Sequence, residues 1–237
     1  MFTPFAFQQP QLVTNGLALY LDASDRTSYV SGSTVWRDLS PSSLTGSLTN
    51  GPTFNSGNGG SIVFDGVDDY VNRTSALNVG SNFSVFAWIK PGNINVRNGI
   101  IGNSYPYSGR EGFLFSTATA YGGITDTFFL SIGQDVAYRT AANNSIVKNA
   151  WNCVGAIVTN GGGNIQLYVN GLETAYLGGL LSSGTVTYTT NEFFVGARRA
   201  STEPFIGNIA LTQIYSRILS AQEVLQNFNA QRQRFNI

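Results

Sequence analysis

Histidine is absent from all 237 residues, which removes the general base of Ser-His and Cys-His nucleophile pairs and the commonest zinc and copper ligand. The lone cysteine, Cys153, can form no internal disulfide, so the fold does not depend on an oxidising compartment. Its place between Trp151 and Val154 reads as core, where free cysteines usually sit. Charge is also scarce. Only 11% of residues are charged and 13 basic groups cancel 13 acidic ones, so no strong field exists to steer nucleic acid or an anionic membrane. Neither is expected as a partner. Lysine is nearly missing, since Lys90 and Lys148 are the two present and the other basic residues are arginine, which suits planar contacts more than loose charge. No apolar run reaches the roughly 20 residues of a membrane-spanning helix. Met1 to Gln11 has no basic segment, no unbroken apolar stretch and no small-residue cleavage site, so no secretory signal is expected there and synthesis in a cytoplasm is.

What is present is turn chemistry between short apolar segments. Twenty-seven glycines, with much Ser, Thr and Asn, and few strong helix formers over most of the length give an all-β composition. Strands are predicted at Leu17 to Leu21, Ser61 to Phe64, Phe83 to Ile89, Gly112 to Phe115, Thr127 to Ile132, Trp151 to Val158, Asn164 to Val169, Phe193 to Gly196 and Phe205 to Tyr215. Asn50-Gly51, Asn58-Gly59, Asn160-Gly161 and Asn170-Gly171 mark tight turns, because Asn and Gly accept positive φ at little cost. Phe83 to Ile89 is apolar on both alternations, as a strand covered on two faces must be. One helix is predicted near Ala221 to Asn229. Ser220 and Glu223 form a capping box there, and Val224, Leu225 and Phe228 form a stripe after Ile218 and Leu219; it should pack on an edge or end of the sandwich. The division is an apolar arm at 1–12, one β-sandwich at 13–230 and a tail at 231–237.

Four segments in order carry a resemblance: Phe64-Asp65-Gly66-Val67-Asp68-Asp69-Tyr70-Val71, Phe83 to Pro91, the hairpin Trp151 to Gly171, and Phe205-Ile206-Gly207-Asn208-Ile209 through Glu223. Together they resemble the laminin-G-like branch of the concanavalin A-like lectin/glucanase superfamily. The resemblance implies an all-β jelly-roll sandwich of two antiparallel sheets with one short C-terminal helix, and contacts on loops or a concave face. Glucanases of this kind carry closely spaced acidic residues on one strand. Glu111, Glu173, Glu192, Glu203 and Glu223 are scattered instead, and the missing histidine speaks against lyases, so no enzyme activity and no catalytic residue are expected. Asp65, Asp68 and Asp69 admit two readings, an Asx-type turn lock and a calcium site. Three carboxylates in five residues fall short of a calcium shell, so the lock is preferred and no cofactor is expected.

Aromatic faces stack on sugar rings while Asn and Arg supply planar hydrogen bonds, so ligand binding is expected at Tyr105, Tyr107, Arg110 and Tyr121. Tyr138 and Trp36 are further candidates, with Trp36 read more readily as core. Phe2, Phe5 and Phe7 on the arm, and Arg232, Arg234 and Phe235 on the tail, are candidates for docking to a partner or back onto the chain's own sandwich. Stand-alone domains with a segment like Arg217 to Val224 and an Asn-, Gln-, Arg- and Phe-rich tail resemble structural proteins of tailed phages, particularly marine ones. The expected role is a non-enzymatic virion component, either a capsid decoration or head-fibre protein or a tail-associated adhesion protein. Its partners would be other virion proteins, copies of itself and a host-surface glycan. The alternative is a bacterial surface or secreted carbohydrate-binding module.

Overall fold

The computed structural model describes residues 10–73, 77, 79–93, 97–103, 112–117, 126–133, 137–182 and 192–237, with no side-chain description at 180–182. In chain order the described residues form β1 Leu17–Asp22, β2 Val35–Trp36, β3 Gly46–Thr49, β4 Thr53–Asn55, β5 Ser61–Asp65, β6 Tyr70–Arg73, β7 Phe83–Pro91, β8 Asn98–Gly102, β9 Phe113–Thr117, β10 Phe128–Ile132, β11 Ala137–Ala141, β12 Asn152–Thr159, β13 Asn164–Val169, β14 Leu172–Glu173, β15 Tyr176–Ser182, β16 Phe193–Val195, β17 Ile206–Tyr215 and the helix α1 Ala221–Gln231. One sheet has eight strands in the order β14-β13-β12-β7-β17-β5-β4, with β1 also on β17; the other has nine, β15-β11-β10-β9-β8-β16-β6-β3-β2. Every ladder in both sheets is antiparallel. All nine predicted strands are there. The tight-turn residues Asn50, Asn58, Asn160 and Asn170 all adopt positive φ.

The core lies between the sheets, and the alternation of β7 shows how it is made. Phe83, Val85, Ala87 and Ile89 point into it, with Phe115, Phe128 and Phe193 from the other sheet. Phe86 and Trp88 point the opposite way into two smaller clusters. On β17 a bulge between Ile209 and Leu211 shifts the alternation by one residue, so that Ile209 and Ile214 share the inner face while Leu211 and Tyr215 turn outward. Trp36 is fully buried in the core, which settles it as a packing residue.

The outer face of the middle strands needs a cover, and α1 supplies it. The helix lies over that face rather than at an edge or end, because Phe86 and Trp88 at the sheet centre would otherwise meet water. Phe228 stacks on Trp88 at 5.7 Å between ring centroids and 8° between planes. The buried stripe is Val224 and Phe228 after Leu219, while Leu225 and Ile218 stay partly exposed. Ser84, on the outward alternation of β7, anchors the approach to the helix: its hydroxyl donates to the Arg217 carbonyl at 2.9 Å and accepts from Leu219 N–H at 3.0 Å. The predicted capping box is formed at Ser220 and Glu223. The helix runs two residues past the expected Asn229, to Gln231, whose side-chain oxygen accepts from the Trp88 indole N–H at 2.9 Å.

Two consequences can be tested. The Arg217 guanidinium grips Glu223 with bonds of 3.0 and 2.6 Å, and with the Ser220 N–H it holds that carboxyl down at about 2. A carboxyl whose folded value is depressed stabilises the fold above its ordinary range and loses that contribution as the pH falls toward the folded value. Acid unfolding curves should therefore show a step in that interval, and Glu223→Gln should flatten it. Burial pushes the Cys153 thiol up to about 12. Thiol reagents at mildly alkaline pH should label it only after denaturant is added.

Candidate functional site

The connection from β1 to β2 is built by short side-chain locks. Asp25 Oδ1 accepts from the Thr27 N–H at 2.7 Å and the Thr27 hydroxyl at 2.6 Å, and these bonds hold its carboxyl below the ordinary range. The Ser28 hydroxyl, buried, donates to the Arg37 carbonyl at 2.5 Å and accepts from Asp22 N–H at 3.2 Å. Tyr29 is thereby placed against Phe54 of β4, with ring centroids 5.4 Å apart and planes tilted by 33°. Its hydroxyl donates to the Ser33 carbonyl at 3.1 Å, which fixes the ring.

Tyr29, 4% exposed and part of the core, backs the partly exposed Phe54 ring, and the two line a groove in two compartments. One, of about 420 Å³, runs past Ser24, Arg26 and Ser56. The other, of about 530 Å³, runs past Thr34, Asn50 and Thr53. Tyr29, Ser31 and Phe54 belong to both. No carboxylate lines either compartment among the described residues. Arg26 is exposed and has no hydrogen bond or ion pair with a described residue.

The groove wall at Gly59 rests on the C-terminal tail. After α1 the chain makes a 3-10 turn, Arg232–Phe235. The Arg234 guanidinium reaches Asp22 Oδ1 at 2.7 Å, the Asn58 carbonyl at 2.6 Å and the Gly60 carbonyl. Asn58 returns a bond to the Arg234 carbonyl at 3.0 Å and accepts one from the Trp151 indole at 3.0 Å. Phe235 is buried on Trp88, with centroids 4.0 Å apart. Arg234 and Phe235 are thus engaged by the chain's own sandwich, whereas Arg232 is exposed, its guanidinium 5.8 Å from the Phe228 ring.

The acidic turn adjoins the other end of the groove, where the Asn50 side chain donates to the Asp68 carbonyl at 2.8 Å. Asp65, Asp68 and Asp69 bring carboxylate oxygens within 4.8 Å of one another. Asp65 Oδ1 accepts from the N–H groups of Val67 and Asp68 at 2.8 and 3.4 Å, and Asp69 Oδ2 from the N–H of Asp65 at 3.0 Å. These are turn-locking bonds. Burial, with Asp65 and Asp68 close by, holds the Asp69 carboxyl above the ordinary range.

Of the residues expected to bind ligand, Tyr105, Tyr107, Arg110 and Tyr121 fall outside the described residues, as do Phe2, Phe5 and Phe7. Tyr138 is half-buried on β11. The sequence alone did not bring together Tyr29, Phe54, Arg26 and Asn50, which line the groove. Asn50-Gly51-Pro52 registered only as a turn, and nothing local shows that Tyr29 faces Phe54.

The two antiparallel sheets form a concanavalin A-like jelly roll. Residues 65–225 match the Concanavalin A-like lectin/glucanases superfamily, and the chain belongs to that family. Solved structures share the fold at low identity. Domain 4 of an extracellular arabinanase from Geobacillus stearothermophilus, in complex with arabinotriose, is 17% identical with a TM-score of 0.65, over 91% of this chain and 99% of that one. Trypanosoma rangeli sialidase, in complex with the inhibitor DANA, is 15% identical with a TM-score of 0.60, over 94% of this chain and 34% of that one. The botulinum neurotoxin type G receptor-binding domain is 16% identical with a TM-score of 0.60, over 92% and 52%. No curated protein sequence matches the chain.

Proposed function

We propose that the chain is a non-enzymatic carbohydrate-recognition module that binds glycan in the Tyr29–Phe54 groove and is carried on the virion of a tailed phage, as a capsid decoration, head-fibre or tail-associated adhesion protein. The groove carries the binding reading. The partly exposed Phe54 ring suits the C–H face of a sugar ring, and hydroxyl, amide and guanidinium groups at the rim suit its hydroxyls. Binding without turnover follows the scattered placement of Glu111, Glu173, Glu192, Glu203 and Glu223 in the sequence. The virion placement rests on the sequence of the Arg217 to Val224 segment and of the Asn-, Gln-, Arg- and Phe-rich tail alone.

Two experiments test the parts separately. A glycan array probed with the full chain should show binding with no product released. Mass spectrometry of purified particles should find the chain, in hundreds of copies if it decorates the capsid and in a few to a few dozen if it sits on the tail or a vertex. Absence from every particle would sink the virion placement. It would move an extracellular bacterial module to first place, the reading favoured by the near-complete coverage of the arabinanase domain. The reading requires no metal: because the acidic turn is locked by its own N–H groups, chelating calcium should leave the melting temperature unchanged.

A further inference from the structure

We propose that the groove selects an anionic glycan and holds it in one direction, with an acidic group on Arg26 and uncharged rings running over Phe54 toward Asn50. This rests on the reading of the groove as a sugar site. Arg26 is the one cationic side chain described in the lining, it is unpaired among the described residues, and no described carboxylate competes for it there. Its neighbour Asp25 is turned to another task, with Oδ1 bonded to the Thr27 N–H and hydroxyl. The backbone carrying Arg26 is held on both sides, by the Asp25 turn and by buried Ser28, so the guanidinium is presented from a fixed base. A guanidinium offers a planar pair of donors that fits carboxylate or sulfate.

Direction follows from the opposite end. There Asn50 is tied to the Asp68 carbonyl, and the turn beyond it gathers the carboxyl groups of Asp65, Asp68 and Asp69. An anion placed at that end meets repulsion, and one placed at the Arg26 end meets attraction, so the two orientations of an acid-tipped oligosaccharide differ in energy. The compartments share only Tyr29, Ser31 and Phe54, and since Tyr29 is buried the uncharged rings are placed on the partly exposed Phe54 ring.

The test is titration of the full chain with matched pairs of oligosaccharides at low ionic strength, sialyllactose against lactose and trigalacturonate against galactotriose, with sulfated lactose added to separate sulfate from carboxylate. The acidic member of a pair should bind about tenfold more tightly, and added salt should narrow the gap. Arg26→Gln, at an exposed position, should erase the preference and bring the two members of each pair to the same affinity. Arg26→Lys should recover part of it, and Phe54→Ala should weaken both members. Equal binding of the two members, or a preference that survives Arg26→Gln, overturns the inference and leaves the sugar site standing. Failure of every oligosaccharide to bind overturns the sugar site and the inference with it.

Discussion

Trp88→Ala is expected to lower the unfolding free energy by about 3–5 kcal/mol, the range for removing a large buried aromatic. That corresponds to a drop in melting temperature on the order of 10 °C for a domain of this size. The indole is fully buried at the centre of β7 and is stacked by Phe228 and Phe235, at 5.7 and 4.0 Å. Its N–H is satisfied by Gln231. Truncation leaves a cavity under the helix and cuts the tail from its main apolar contact. Trp88→Phe separates the two contributions: it keeps a ring in the stack and loses the hydrogen bond, so it should cost far less, about 1 kcal/mol for the bond plus some packing. Urea titrations check both, through a midpoint that falls while the slope is unchanged. A Trp88→Ala chain as stable as the parent would show that the helix and tail contribute little to the fold.

Arg234→Ala is the second large effect. The guanidinium joins three segments distant in sequence, Asp22 at the end of β1, the Asn58–Gly60 turn and the tail. Little of either partner in the ion pair meets solvent, 16% of the Arg234 side chain and 10% of the Asp22 side chain, so removing one charge strands the other. The cost should be about 3 kcal/mol, at the lower end of what breaking a buried pair entails. Arg234→Lys keeps the charge and loses the fork, so it should fall between. The effect reaches the groove, because Gly59, a wall residue, stands against both Arg234 and Ser24. Amide exchange across residues 56–61 should accelerate in Arg234→Ala more than at β7, and uniform acceleration would mean global destabilisation alone.

Much of this fold was legible in the sequence because its strands are apolar on the face that matters. The motif residues Phe64 and Val71 enter the core as their alternation requires. The double alternation of Phe83 to Ile89 identifies the central strand. The strands that escaped are short or weakly patterned. β2 has two residues, β4 three, and β8, Asn-Gly-Ile-Ile-Gly, begins and ends in residues of low strand preference. The helix start was legible through Ser220 and Glu223, but its resting place was not, since that depends on which face Trp88 takes. The groove was least legible. Tyr29 and Phe54 are 25 positions apart in the chain and meet because the Asp25 and Ser28 bonds set the turn that carries Tyr29 while pairing of β4 with β5 places Phe54. In the sequence, attention falls on Tyr105-Pro106-Tyr107, two aromatic residues one position apart, which lie outside the described residues.

Amide chemical shifts of the full chain, followed through titration with a glycan identified on the array, test the groove most directly. Shifts concentrated at residues 24–34 and 50–56, and abolished in Phe54→Ala while the far-ultraviolet spectrum is unchanged, are the expected result. Shifts concentrated on another surface, or binding undiminished by Phe54→Ala, would show that the Tyr29–Phe54 groove is not where this protein meets its ligand.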